Sequence, residues 1–352
     1  MSTRGCTPPR FARREFLLGL GAGVPLIGAA CVGGDFDESE GDFRDAEFEF
    51  GDDVIPPVMG YAVAAKPPGV NLAVDVESTV NGQDFKNDAY ACSVPKSMAG
   101  IQVGDQVRIT RNGQHYALFT VAELRQGDDK VRMGSKARDR LGTKNSFSGS
   151  MSRPVPRAGI SDEQAEASSE FVERVVDDGN HDGLVIIAPH GGQIEPGVCR
   201  QAEVATAALS CSSWICKGFK SGGGAYTRWH ITSTKVNPRS FPGLGVVANR
   251  GFAYAVSFHG QSADGILIGG AAPKELKEML KAAIEDTLSS NSIDVTIAKK
   301  GDHNAGMSKE NVVNWLTAGG LGGIQIEQSM KVRKDHWEEV VEAVVNVYSD
   351  LI

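Results

Sequence analysis

The feature that most constrains this chain is a series of short, nearly uninterrupted apolar runs in its second half. They are Gly183-Leu184-Val185-Ile186-Ile187-Ala188, Ala253-Tyr254-Ala255-Val256-Ser257-Phe258, Gly265-Ile266-Leu267-Ile268-Gly269 and Gly323-Ile324-Gln325-Ile326-Glu327, with a less regular run at Ile293-Asp294-Val295-Thr296-Ile297. Runs of this length without strict alternation suit strands covered on both faces. Two amphipathic stretches, Pro273 to Leu288 and Val332 to Tyr348, carry apolar residues at helical spacing. Ser161-Asp162-Glu163-Gln164 reads as a helix start with Ser161 as N-cap and Gln164 at the capping-box position. Phe171, Val172, Val175 and Val176 are expected to continue that helix. Strands alternating with helices imply an α/β mixed sheet flanked by helices.

Shifts of composition divide the remainder. Residues 1–31 read as an export signal: Arg4, Arg10, Arg13 and Arg14 precede an apolar run from Phe16 through Ala30. Arg13-Arg14-Glu15-Phe16-Leu17 is similar to a twin-arginine signal. Cys31 follows Gly28-Ala29-Ala30 as in a lipoprotein cleavage site, so Cys31 is the candidate for lipidation. Residues 32–53, rich in Asp, Glu and Gly, are expected to be an acidic tether. Residues 54–145 read as a smaller β-rich accessory domain, with strands over Gly104–Ile109, Tyr116–Val121 and Lys130–Met133 and a turn at Asn112-Gly113. The Ser-, Pro- and Gly-rich residues 146–157 read as a linker, and residues 158–352 as the α/β part. The expected location is the cell envelope or the exterior, with membrane contact only through the signal or a lipid anchor.

The net charge is -8 over 352 residues, and no basic stripe stands out. Nucleic acid is therefore not an expected partner. Cys92, Cys199, Cys211 and Cys216 are spaced without any C-x-x-C pair, which argues against a cysteine zinc knuckle and leaves pairing in an oxidising compartment open.

In an open α/β sheet, ligands gather at the carboxyl ends of the strands. The run ending at Ala188 delivers Pro189-His190-Gly191-Gly192-Gln193-Ile194-Glu195, the run ending at Phe258 delivers His259-Gly260, and the last run delivers Glu327. Gly191 and Gly192 let the chain curl back, so that His190 and Glu195 can reach one ion. A second imidazole from His259 completes a His₂Glu set, the ligand number of a catalytic zinc with one open position. Glu327 is then the candidate general base. Read singly, a histidine at a strand end is more often a hydrogen-bonded structural residue than a ligand.

Four strings in order, Ala188-Pro189-His190-Gly191-Gly192-Gln193-Ile194-Glu195-Pro196-Gly197, His230-Ile231-Thr232-Ser233-Thr234, Val256-Ser257-Phe258-His259-Gly260 and Gly323-Ile324-Gln325-Ile326-Glu327, resemble the poly-γ-glutamate hydrolase family. The resemblance implies a zinc-carboxypeptidase-like α/β fold and hydrolysis of γ-glutamyl amide bonds in an anionic polymer. By the same resemblance His190, Glu195 and His259 are the Zn²⁺ ligands and Glu327 the catalytic carboxylate. His230 falls in the second string and is expected to support a ligand or touch substrate. Asn311 and Asn314 are expected near the substrate, but Trp315 follows where the family pattern suggests Arg. Lys217, Lys220, Arg228, Lys235, Arg239 and Arg250 are the other cations on hand for substrate carboxylates, with Arg228 and Arg250 foremost because Arg pairs well with carboxylates. Small members of the family lack the β-rich part. Two other readings stay open from the sequence: a zinc amidase or carboxypeptidase acting on cell-wall peptides, and a surface protein that binds metal or polymer without cutting it. The oligomeric state is not legible.

Overall fold

A β-branched run needs partners on both edges and cover on both faces before its backbone is satisfied. The computed structural model describes residues 88–127, 129–290 and 292–352, together with three strands before them, β1 (Val70–Val76), β2 (Thr79–Val80) and β3 (Gln83–Asp84). The export signal, Cys31 and the acidic tether lie outside the described residues. Among the described residues no helix is long and apolar enough to cross a membrane.

The N-terminal part is a closed barrel. Its strands are β1, β4 (Ala91–Pro95), β5 (Gln106–Arg111), β6 (His115–Arg125), β7 (Val131–Met133) and β8 (Phe147–Ser152). They close in the order β1-β7-β4-β6-β5-β8. The hairpin between β5 and β6 turns at Asn112 and Gly113, both with positive φ, as an Asn-Gly turn requires. Alternation sorts the faces: Val107, Ile109, Ala117, Phe119 and Val121 fill the barrel with Cys92, Val131 and Met133. Arg108 and Leu118 point the other way, towards the second part. Residues 146–157 are not simply a linker. They contain β8, which pairs with both β1 and β5 and closes the barrel. Its serines and Gly149 hid the strand, because Gly149 sits where any Cβ would strike the Thr110 carbonyl at 2.4 Å.

The second part is a seven-stranded sheet of β9 (Phe171–Val176), β10 (Leu184–Gly192), β11 (Ser212–Gly218), β12 (Tyr254–Gly260), β13 (Ile266–Gly269), β14 (Val295–Ile297) and β15 (Gly323–Gln328). The order is β14-β13-β15-β12-β10-β11-β9. The central four, β15, β12, β10 and β11, are parallel, and antiparallel pairings at β13–β15 and β9–β11 flank them. This is the expected mixed α/β sheet with a β-rich part before it. Leu184, Ile186 and Ala188 face one helical layer, with the helices Val198–Leu209, Lys274–Thr287 and Trp337–Tyr348. Val185 and Ile187 face the other, where Trp214, Trp229, Phe241 and Leu244 collect.

Two expected helices differ. The helix begun by the Ser161 capping box stops at Ala167, and Ser169 adopts a positive φ. Phe171, Val172, Val175 and Val176 then form β9, because β11 offers an unpaired edge and Val is at home in a strand. The stretch from Val332 to Tyr348 breaks at His336 into Met330–Asp335 and Trp337–Tyr348. Cys92, Cys211 and Cys216 are free and buried, so these three do not pair.

Candidate metal centre

Three strand ends build the site. β10, β12 and β15 run parallel, so their carboxyl ends share one edge of the sheet. β12 and β15 are in register with His259 beside Glu327, and neighbouring strands lie about 4.8 Å apart. Ile324 and Ile326 enter one core layer, so alternation turns Gln325 and Glu327 to the opposite face. β10 pairs with β11 out of step between Ala188 and Gly191, and that irregularity re-aims His190 from the alternation of the strand before it. Gly191 and Gly192 allow the close return. A Cβ at Gly191 would sit 2.4 Å from the Cys216 carbonyl oxygen, and one at Gly192, with φ +68, 2.8 Å from that of Gly218. The turn closes with the Glu195 amide donating to the His190 carbonyl at 2.9 Å.

His190, Glu195 and His259 are all buried, and each offers a ligand atom within 4.8 Å of the others. The His190 Nδ1 lies 2.8 Å from Glu195 Oε1 and 3.2 Å from His259 Nδ1. His259 Nδ1 is 3.4 Å from Glu195 Oε2, which also accepts the Gly260 amide at 2.8 Å. The other ring nitrogen of His190 fixes its tautomer. Nε2 lies 2.7 Å from the Ile231 carbonyl oxygen, which can only accept, so Nε2 carries the proton. In a neutral His190 the Nδ1 lone pair then faces a carboxylate oxygen and a second imidazole nitrogen. A proton on either Nδ1 is donated to Glu195, whereas with both Nδ1 atoms unprotonated the same three groups are free to hold one cation, and N,N,O donors suit zinc.

The charges are set apart. Burial works to raise the Glu195 carboxyl, but the His190 charge and the hydrogen bonds of His190 and His259 overcome it and hold it well below the usual range. Glu327 goes the other way: burial, reinforced by the Glu195 charge, pushes it up to about 7 against the pull of both imidazoles and a Gln325 hydrogen bond. Burial depresses His259, yet its hydrogen bond to Glu195 and the two carboxylates carry it above the ordinary value. Burial and the neighbouring His190 press His230 down to about 3, so it is neutral.

The surrounding residues hold these groups still. Gln325 Nε2 donates to Glu327 Oε1 at 2.7 Å, and Asn311 Nδ2 donates to Gln325 Oε1 at 2.8 Å. Asn311 is itself oriented by capping the short helix Val312–Trp315. Asn314 does not reach the metal donors. It braces the loop before that helix by donating to the Gly306 and Ser308 carbonyls and accepting from the Ala271 amide. His230 lies against His190, with ring centroids 4.4 Å apart, and stacks on Tyr226 at 4.3 Å.

The cations divide sharply. Arg250 sits at the amino ends of the strands, bound to Asp177 and the His181 carbonyl, and so on the edge opposite the donors. It cannot serve the centre. Arg228 turns its guanidinium over the Tyr116 ring of the barrel, 4.2 Å from the centroid. Lys217 is buried between Asp162 and Glu203, and Arg239 pairs with Asp105. Trp315 packs on the core layer of Trp229. Gln325, the Ile231 carbonyl, Tyr226 and the barrel's Tyr90, 6.3 Å from His230, escaped the sequence reading. Only Gln325 left a signal, as a polar residue inside an apolar run.

A His₂Glu donor set at the carboxyl edge of an α/β sheet, with a carboxylate beside it, defines the class: a candidate mononuclear metal centre of a hydrolase. The chain belongs to the poly-gamma-glutamate hydrolase family, whose sequence profile matches residues 161–346, a span that holds every one of these donors. Among solved structures it is similar to a bacteriophage poly-gamma-glutamate hydrolase (21% identity, 53% of this chain and 94% of that one, TM-score 0.41). It is also similar to the zinc-free apo form of YNDL (23% identity, 53% and 94%, TM-score 0.40). A metallo-carboxypeptidase from Burkholderia cenocepacia is more remote (10% identity, 70% and 79%, TM-score 0.33). No curated protein matches the chain.

Proposed function

We propose that the chain is a zinc-dependent hydrolase of γ-glutamyl amide bonds in poly-γ-glutamate, acting outside the cytoplasm. The observation that carries this reading is the meeting of His190, Glu195 and His259 with Glu327 adjacent in register, together with membership of the family. His190 and His259 would hold the ion through Nδ1, and Glu195 through a carboxylate oxygen. When bound, zinc supplies Lewis acidity to the scissile carbonyl and the attacking water. Glu327 takes the proton of that water on its carboxylate and passes it to the leaving nitrogen. Gln325 fixes the carboxylate plane for that transfer by its bond to Oε1. The burial of all four groups limits competing solvent and strengthens each electrostatic contact.

The test joins metal analysis to a polymer assay. Purified protein is expected to hold one zinc per chain, to shorten poly-γ-glutamate, and to lose both properties as His190→Ala or His259→Ala. Chelation removes the activity and zinc restores it. Cleavage of cell-wall peptides with the polymer left intact would move the reading to a peptide amidase. Zinc bound with neither substrate cut would leave a binding protein. The twin-arginine-like start supports export, which replacing Arg13 and Arg14 by lysine should abolish.

A further inference from the structure

His190 presents an Nδ1 lone pair to a metal when its proton sits on Nε2, and the Ile231 carbonyl favours that tautomer and fixes the ring by accepting the Nε2 proton. Ile231 lies two residues beyond the helix Ala225–Trp229. Five residues make too short a helix to persist alone, and its last carbonyls have no partner within it. The partner comes from the barrel. Arg140 Nε donates to the Thr227 carbonyl at 2.7 Å and Nη2 to that of Arg228 at 3.1 Å. Through Nη1 the same guanidinium donates to the carbonyls of Ala89 and Leu118 in the barrel, at 2.9 and 2.8 Å. The rings of Tyr90 and Phe119 lie against it, 4.4 and 4.6 Å from Cζ to centroid. A planar fork of fixed donors can span four carbonyls in this way, whereas a lysine ammonium on a flexible stem cannot.

We propose that Arg140 is a positioning residue for His190, acting through the Thr227 and Arg228 carbonyls on the segment that carries Ile231. The barrel is then a working part of the metal centre and not a detachable accessory. His230, in the same segment, is locked between Tyr226 and His190 by this arrangement. The proposal rests on the metal-centre reading above.

Arg140→Gln and Arg140→Lys test it by two readouts: zinc affinity by chelator competition, and solvent exchange of the His190 Nε2 proton followed by NMR in the metal-free protein. Loss of a direct outer partner of a ligating histidine weakens metal binding by about 10–100-fold. Arg140 acts one step further out, through the segment that carries the Ile231 carbonyl, so the expected fall is up to about 10-fold, with faster exchange of the proton. Lys274→Gln, which removes an exposed helical ion pair with Glu278, should leave both unchanged. If the glutamine variant does not fold, the lysine variant, which keeps a positive charge beside Tyr90 and Phe119, decides. Folded Arg140 variants with wild-type zinc affinity and wild-type exchange would overturn the proposal. Wild-type protein that takes up no zinc overturns the metal reading instead, while the exchange measurement still settles the part played by Arg140.

Discussion

Glu195 and Glu327 are both buried carboxylates within one cluster, yet their environments drive them apart. Desolvation raises each, but only Glu195 has imidazoles bonded directly to its oxygens, so it stays ionised and fit to hold a cation. Glu327 is pushed up to about 7, where a group can take and return a proton near neutrality. The sign follows. In the proposed mechanism the base is the Glu327 carboxylate, so activity should be lost as pH falls through the carboxyl's midpoint and be complete above it. A bound divalent cation favours the ionised form and draws that midpoint down. The profile of kcat/KM against pH is therefore expected to rise to a plateau with a midpoint no higher than about 7. Glu327→Gln keeps the acceptor for Gln325 but cannot take a proton. It should slow turnover by about 10²–10⁴-fold and keep its zinc. An acid limb at the same midpoint in what activity remains would assign the titration to another group.

At the scale of elements, the centre depends on how closely β10 and β11 approach. Gly191→Ala would set a methyl 2.4 Å from the Cys216 carbonyl oxygen and 2.7 Å from Cys199 Cβ, both in the packed interior. Overpacking of this kind costs about 1–3 kcal/mol. Here it also displaces the turn that carries His190 and Glu195. Denaturant unfolding should show the loss, and zinc titration should show weaker binding than the stability loss alone explains. What the sequence made legible follows the same physics. The runs at β10, β12, β13 and β15 stood out because strands covered on both faces are apolar throughout. His190, His259 and Glu327 stood out because each ends such a run. β11 did not, since Ser212, Ser213 and Lys217 interrupt it. The Ser212 hydroxyl donates to Asp177 and the Lys217 ammonium pairs with Asp162 and Glu203, partners the run itself does not reveal. β9 read as a helix because its valines fit both periods, and only the open edge of β11 decided between them. The Ile231 carbonyl could not be read at all, because every residue type has one.

For the whole molecule, the question is whether barrel and sheet unfold as one body. The family match begins at residue 161, so the barrel is what this chain adds to the matched part. Yet the two parts share a core: Leu118 and Val155 pack in one cluster with Phe171, Trp229 and Phe241. Arg108 reaches from the barrel to grip Glu170 with two bonds of 3.1 and 2.7 Å while its guanidinium lies 4.9 Å from the Trp229 ring centroid. Gln106 adds bonds to Ser240, to the Lys235 carbonyl and to the Asn237 amide. A seam this apolar and this fully bonded is expected to melt with the rest, giving one calorimetric transition. Glu170→Ala tests the seam directly, because it leaves the Arg108 charge buried without its partner, which costs about 3–5 kcal/mol. The melting temperature should fall by several degrees with the single transition kept. Burial alone would raise the Glu170 carboxyl, but Arg108 and Arg157 hold it below its ordinary value. The pair therefore stabilises the fold at neutral pH and fades as pH drops through the acid carboxyl range. The gap in melting temperature between wild type and Glu170→Ala should accordingly narrow on acidification. Two separate transitions in the wild type, only one of them moved by the substitution, would show instead that the barrel melts on its own.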